Sequence, residues 1–470
     1  MEDIETKKRR DALLKPGDVN RRIISMIVPI TIENLLQMIA GIVSMGMIGR
    51  IDALSISALG IGMRITQIVW ALFKGITTGA TVFVAQYYGA GEMGKVRNVI
   101  RQTLISGIVV VALVQAIVYT QASKLLLVFG PEPELLALAT EYVRMVSFGL
   151  PFMAVMLMIG GVLQGMGNAK TPMYITLLMN IVNIIVGYTL IFGKHGLTPI
   201  GVRGAAIATV VSQAAAAFTG LYIIFNKNGV LSSFLNSKLL VVDKKQMKEV
   251  YRVGLPTSME SIFWQLAAII LSRAILTFGE TTFAAHQLGL QAESISYMPA
   301  AGFGVVATAL IGQALGAKDK DMARLYLRQI LKGALCMTTL SVIILVGFPK
   351  LLMSTLTDNQ DIINLSAIYL MLMGLVQFPM NTTGVLAGAM RGAGFTKVPM
   401  VVAGAGLWGV RVPLVLLLTY VFKMSIIAIW VVMCADLIFR FCICLIYYRS
   451  KNIYESRLMM DEGQNTEVTV

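Results

Sequence analysis

The sequence is short of the side chains that do most chemistry in water. It holds four cysteines and two histidines in 470 residues. Cys336, Cys434, Cys442 and Cys444 all fall inside apolar runs, and the last two have neither CxxC spacing nor a neighbouring histidine. They read as small packing residues, so neither a disulfide framework nor a metal site is expected. His195 and His286 lie far apart in sequence. No nucleophile and base are offered together, which counts against an integral-membrane enzyme. Charge is scarce too: 14% of residues are charged and 56% hydrophobic, about half the charged share of a soluble domain. The chain is therefore expected to be neither soluble nor an enzyme.

What it has instead is long apolar runs. Twelve are long enough to cross a ~30 Å hydrocarbon core, near residues 23–48, 54–87, 98–122, 134–160, 171–192, 203–225, 250–278, 282–315, 325–348, 361–389, 398–421 and 425–447. The formal net charge is +14, yet its distribution points to lipid, not nucleic acid. Counting residues just inside the helix ends, 26 Lys and Arg fall on the side of both termini and six on the other. This asymmetry puts both termini in the cytoplasm of a multi-pass protein of the cell (plasma or inner) membrane. The arm with Lys7, Lys8, Arg9 and Arg10 reads as a topology signal and anionic-lipid contact. The first apolar run is too long for a signal peptide.

A repeat at a constant offset of 227 residues organises the chain. Gln86, Gly89, Ala90, Arg97, Arg101, Gln102 and Leu104 return as Gln313, Gly316, Ala317, Arg324, Arg328, Gln329 and Leu331. Gly161, Gly165, Gly167, Lys170, Pro172 and Met173 return as Gly388, Gly392, Gly394, Lys397, Pro399 and Met400. Pro29 maps onto Pro256 and Glu33 onto Glu260. Such a repeat implies two like structural units. The expected architecture is all-α and integral to the membrane: twelve transmembrane helices in two pseudo-symmetric six-helix bundles related by an axis along the membrane normal. Residues 1–22 are expected to form a cytoplasmic basic arm, 23–225 the first bundle, 226–249 a polar cytoplasmic connector, 250–450 the second bundle and 451–470 a cytoplasmic tail, disordered from Glu455 onward. The GxxxG pairs at Gly161/Gly165 and Gly388/Gly392 suit close helix approach.

The segment GAGEMG at residues 89–94 matches a dinucleotide pattern, and Lys95 extends it toward a phosphate-binding loop. That match fails at Val96, and no strand precedes it. Neither nucleotide nor nucleic acid is expected as a partner.

Polar residues within the spans are the functional candidates. At ~1.5 Å per residue, ten residues into a span is about 15 Å deep, near the midplane. Glu33, Glu260, Glu293 and Asp436 are each counted ten or eleven residues into their spans, so four carboxylates are expected in one plane. A charge there costs several kcal/mol unless it is paired or faces water. Asp436 has Arg440 one turn on, and Glu33 has Arg64 as a possible partner. Glu260 and Glu293 have no evident basic partner, which makes them the leading coupling-ion sites. Pro29 and Pro256 are expected to kink their helices, with Glu33 and Glu260 directed back at the kink as gates.

These features carry a resemblance. The stretch AAHQLGLQAESISYMPAAGFGVVATALIGQALGAKD from Ala284 to Asp319, its partner FVAQYYGAGE, the segment RGAGFTKVPM from Arg391 to Met400, and Asp436 with Arg440 resemble the multidrug and toxic compound extrusion (MATE) family, within the multidrug, oligosaccharidyl-lipid and polysaccharide exporter superfamily. The resemblance implies a two-lobed exporter driven by inward proton or sodium flow, expelling amphipathic, drug-like, cationic compounds without a further cofactor. The chain departs from it where many members carry acids: Ser44, Trp264 and Met380, beside Asn381, stand there. Its own candidates are Glu260 and Glu293, with Gln265, Gln287, Gln291 and Asn381 as added ligands and Trp70 or Trp264 as cation–π walls. His286 is expected to be structural. A monomer in the lipid bilayer is expected. The alternative within the superfamily, a lipid-linked oligosaccharide flippase, needs a basic cavity for pyrophosphate.

Overall fold

The computed structural model describes residues 16–48, 50–51, 53–193, 198–227, 229–232 and 243–454. The basic arm at residues 7–10, His195 and the tail from residue 455 lie outside the described residues. Helices α1 (Pro16–Ile48), α2 (Ala53–Gly89), α3 (Met93–Leu127), α4 (Pro133–Ser147), α5 (Leu150–Gly165), α6 (Lys170–Phe192) and α7 (Gly201–Phe225) make the first half. The second comprises α8 (Lys244–Leu276), α9 (Glu280–Gly316), α10 (Lys320–Gly347), the short α11 (Pro349–Ser354), α12 (Gln360–Leu375), α13 (Gln377–Gly392), α14 (Lys397–Gly404), α15 (Val412–Leu416) and α16 (Ile426–Ser450). π-Helical turns occupy Ala405–Arg411 and Leu417–Val421, either side of α15. No strand occurs among the described residues.

Among the described residues, ten helical stretches are long and apolar enough to span a membrane, and there are twelve if the bent pairs α4/α5 and α12/α13 each count as one. Large apolar side chains such as Leu113, Ile185, Tyr222 and Leu340 are more than half exposed. Water would penalise such a surface, and hydrocarbon would not. Hydroxyls on these faces bond within their own helix, as Thr120 does to the Ala116 carbonyl and Thr189 to that of Ile185. This keeps each polar group satisfied without solvent.

The repeat extends to helix boundaries. α2 ends at Gly89 and α9 at Gly316, α3 begins at Met93 and α10 at Lys320, and α6 begins at Lys170 and α14 at Lys397. The paired breaks bend by 50° at α4/α5 and 51° at α12/α13. Pro151 and Pro379 each lie four residues beyond the last residue of the preceding helix, Ser147 and Leu375, and so deny that carbonyl its helical partner. α1 and α8, by contrast, run unbroken through Pro29 and Pro256. The breaks that divide spans are therefore not at the prolines singled out from the sequence.

The GxxxG pairs do pack helices closely. A Cβ on Gly161 would strike the Thr77 side chain of α2, and one on Gly388 the Gly304 carbonyl of α9, its equivalent at the repeat offset. Beyond each pair, Gly167 and Gly394 take φ of 86° and 89°, a left-handed conformation that glycine adopts without steric cost. The following amides, Asn168 and Phe395, each return 2.8 Å to a carbonyl of the last turn. The GAGEMG segment is a turn between α2 and α3, where Gly89 lets the Gln313 carbonyl approach.

Two compact units result. One comprises Met1–Ile27, Tyr88–Gly91 and Met259–Val470, the other Val28–Tyr87 and Glu92–Ser258. α1 and α8 thus each contribute to both.

Candidate functional site

The second-half unit gathers six ionisable side chains, beginning at Glu293. This residue is 3% exposed, on α9. Its Oε2 accepts a 2.7 Å hydrogen bond from the Tyr369 hydroxyl, and its Oε1 a 2.9 Å bond from the Gln377 amide. Gln377 opens α13, so the break after α12 turns it inward. Its own oxygen accepts from Ser296, three residues along α9 from Glu293, at 2.7 Å. Tyr369 is fully buried against His286 and Trp430, with ring centroids 5.2 and 5.3 Å away. Gly289 leaves room for that tyrosine, as Gly62 does for Tyr142 at the repeat-equivalent place. His286 belongs to this aromatic wall.

Arg411 lies within electrostatic reach of Glu293 and leads to a second acid. Asp436 on α16, completely buried, meets Arg411 at 2.7 Å and Arg440 at 2.6 Å through one oxygen, Oδ2. The fit depends on Gly406: a Cβ there would collide with Asp436 and the Arg440 stem. The wide π-helical turn that begins beside this glycine ends at Arg411; such insertions recur at functional sites. Both guanidiniums lie over the Trp264 ring, Arg440 at 4.5 Å and Arg411 at 5.3 Å from its centroid. Arg440 is in turn within reach of Glu260. Glu260 accepts 2.6 and 2.7 Å bonds at its two oxygens from Arg391 Nη2. The order is Glu293, Arg411, Asp436, Arg440, Glu260, Arg391: three acids and three bases in alternation. A pocket of about 170 Å³ opens at the far end, lined by Glu260, Trp264, Arg391 and Arg440 with Met380 and Met390.

Several expectations are corrected here. Glu260 is not unpaired; Arg391 was assigned to a loop after residue 389, but α13 continues to Gly392 and carries it in its last turn. The glutamine on Glu293 is Gln377; Gln265 and Gln287 are half-buried and Gln291 exposed. Asn381 is buried and donates to Thr338 at 2.9 Å. Trp264 already carries two protein cations, and the Lys74 ammonium lies 4.5 Å from the Trp70 ring centroid.

Glu33 accepts a 3.1 Å bond from Gln164, and the cation whose field reaches it is Lys74, in place of the exposed Arg64. Gln164 is the repeat equivalent of Arg391. The same contact thus exists in each half, neutral in one and ionic in the other. Positions equivalent to Glu293, Arg411, Asp436 and Arg440 hold Thr66, Ile184, Thr209 and Gln213. Tyr369, Gln377, Arg391 and Arg411 went unassigned from sequence. A polar residue alone in an apolar run was the available signal for Gln377 and Arg411.

Comparison with known proteins decides the family. The MatE family model matches residues 29–189 and again 256–417, one match per half of the repeat. The chain belongs to the MatE family. Among MatE relatives it is 31% identical over 459 residues to a probable multidrug resistance protein NorM of Thermotoga maritima, covering 96% of each chain. It is 25% identical over 426 residues to an uncharacterized transporter, YisQ, of Bacillus subtilis, covering 90% of this chain and 93% of that one. In fold it matches a MOP superfamily transporter from Pyrococcus furiosus with a TM-score of 0.84 at 18% identity, over 92% of this chain and 95% of that chain. A multidrug resistance MATE family transporter in an outward-facing conformation gives the same TM-score, identity and coverage. The MatE fold is thus shared over nearly the whole chain.

Proposed function

We propose that the chain is a secondary active exporter that exchanges protons or sodium ions for amphipathic organic compounds carrying a cationic group. It acts as a monomer in the cell membrane with both termini in the cytoplasm. The observation that carries this reading is Glu293: a buried carboxylate whose two oxygens are held by the neutral donors Tyr369 and Gln377. Neutral donors orient an acid without discharging it, so a proton or sodium ion arriving from outside can still be attracted by the group. Occupation of Glu293 removes a negative charge from the head of the alternating chain. Arg411 then loses one of its two counter-charges, and the pairing at Asp436 and beyond shifts. An ion with different affinity for two arrangements moves the equilibrium between them, as alternating access requires. The names of the multidrug relatives support the cargo class. The charge balance disfavours the flippase alternative, since three acids offset the three guanidiniums that a pyrophosphate would need.

The test is reconstitution in liposomes with a cationic dye inside and separately imposed proton and sodium gradients. Glu293→Gln keeps the side-chain shape, offers one acceptor in place of two, and cannot exchange an ion. Its gradient-driven export is expected to vanish while dye binding persists. Full gradient-driven export by this variant would overturn the assignment.

A further inference from the structure

The pocket at the Arg391 end has an unusual wall for a site meant to hold a cation. Every acid described near it is already neutralised: Glu260 by Arg391, and Asp436 by Arg411 and Arg440. The aromatic face that would take a cation, Trp264, is covered by guanidiniums. A simple cation entering beside Glu260 must displace Arg391 and strand that charge between Met380 and Met390. A simple anion bound to Arg391 strands Glu260 in the same way. Removing one partner of a part-buried pair such as this is destabilising, because the other keeps its charge with little water to compensate it.

A guest with both charges escapes this penalty. Its carboxylate can take the place of Glu260 on Arg391, while its ammonium takes the place of Arg391 on Glu260, and every charge stays paired. The donors fit such an exchange. Arg391 spends one nitrogen, Nη2, on both oxygens of Glu260, and its Nε–H has no partner. Planar guanidinium favours a two-pronged bond to carboxylate, which Glu260 does not use. Arg440, also in the pocket wall, likewise has an unpartnered Nε–H. The volume of about 170 Å³ is well below the ~300–1,000 Å³ of a drug-sized site. Only the charged head of a guest enters.

We propose that this pocket recognises the head of a zwitterionic amphiphile, an amine and a carboxylate on one short scaffold, by insertion into the Glu260–Arg391 ion pair. This deepens the exporter reading, and rests on it, by naming the cargo class of the same unit.

The probes are Nε-dansyl-lysine, its methyl ester and its Nα-acetyl derivative, which share one fluorescent tail and differ only in head charge. Binding is measured by dansyl fluorescence on the purified protein in detergent, with no gradient. The zwitterion is expected to bind at least about tenfold tighter than either derivative, the scale of one charge-assisted hydrogen bond. Arg391→Gln should turn the preference toward the methyl ester, and Glu260→Gln toward the acetyl derivative. A singly charged derivative binding the unaltered protein as tightly as the zwitterion overturns the proposal, as does failure of the zwitterion to saturate. Failure of the exporter reading would appear separately, as absence of gradient-driven dye export with this binding order intact.

Discussion

Asp436 supports two guanidiniums through one oxygen, so its removal is felt twice. Asp436→Asn keeps the shape and leaves Arg411 and Arg440 facing each other with no counter-charge between them. The expected loss is about 3–5 kcal/mol, the scale for breaking a buried ion pair from one side, read as a lower Tm of the purified protein. Replacing Arg411 by Met in the same background should recover part of it, because one stranded cation is removed. A double variant less stable than Asp436→Asn would show that Arg411 contributes by packing. Asp436 and Arg440 were legible in the sequence because they lie one turn apart on a single helix. Arg411 was not, because it reaches Asp436 from another segment through a π-helical turn, and periodicity cannot announce an inserted residue. Glu260 shows the same limit: an arginine in the last turn of a helix reaches back along it, so a count of residues from the span edge misjudges which groups meet.

Helices were the most legible elements, since apolar runs flanked by polar turns fix where a chain crosses hydrocarbon. The internal breaks were missed because α4/α5 and α12/α13 are continuous in hydropathy. Only Pro151 and Pro379 mark them, and Pro29 and Pro256 look alike in sequence yet leave their helices whole. Close approach of α13 to α9 and of α5 to α2 was legible as GxxxG, but not which partner atoms are met. That difference predicts unequal costs for equivalent changes. Gly388→Ala drives a methyl into the Gly304 carbonyl, which is backbone and cannot rotate away. Gly161→Ala meets a Thr77 methyl, and a threonine can turn. Gly388→Ala is expected to cost about 1–3 kcal/mol as overpacking and Gly161→Ala less. Gly160→Ala, whose new methyl meets only the Pro172 ring at 3.8 Å, should be neutral. Thermal unfolding of the three variants side by side checks the order, and a loss at Gly160 equal to that at Gly388 would refute it.

At the scale of the whole molecule, one scaffold occurs twice, and among the described residues the alternating series of acids and guanidiniums is in the second copy. Helix ends, bends and glycine contacts repeat at the same offset, whereas Glu293, Arg411, Asp436 and Arg440 have neutral counterparts. Packing constrains both copies alike, so the shared residues are those that set the backbone, and the unshared ones are free to serve chemistry. The repeat also fixes topology. Six spans per half is an even number, so each half begins and ends on one side, and that side should be the one rich in Lys and Arg. Long basic side chains resist translocation, and the imbalance of 26 against six leaves little room for the opposite insertion. An alkaline phosphatase domain, active only outside the cytoplasm, should therefore be active when inserted after Lys423 and inactive after Ser450. A green fluorescent protein at the same two positions should give the reverse. These residues flank α16, so the two readouts bracket a single crossing. Activity after Ser450 would invert the whole chain and, with it, the side proposed for entry of a coupling ion to Glu293.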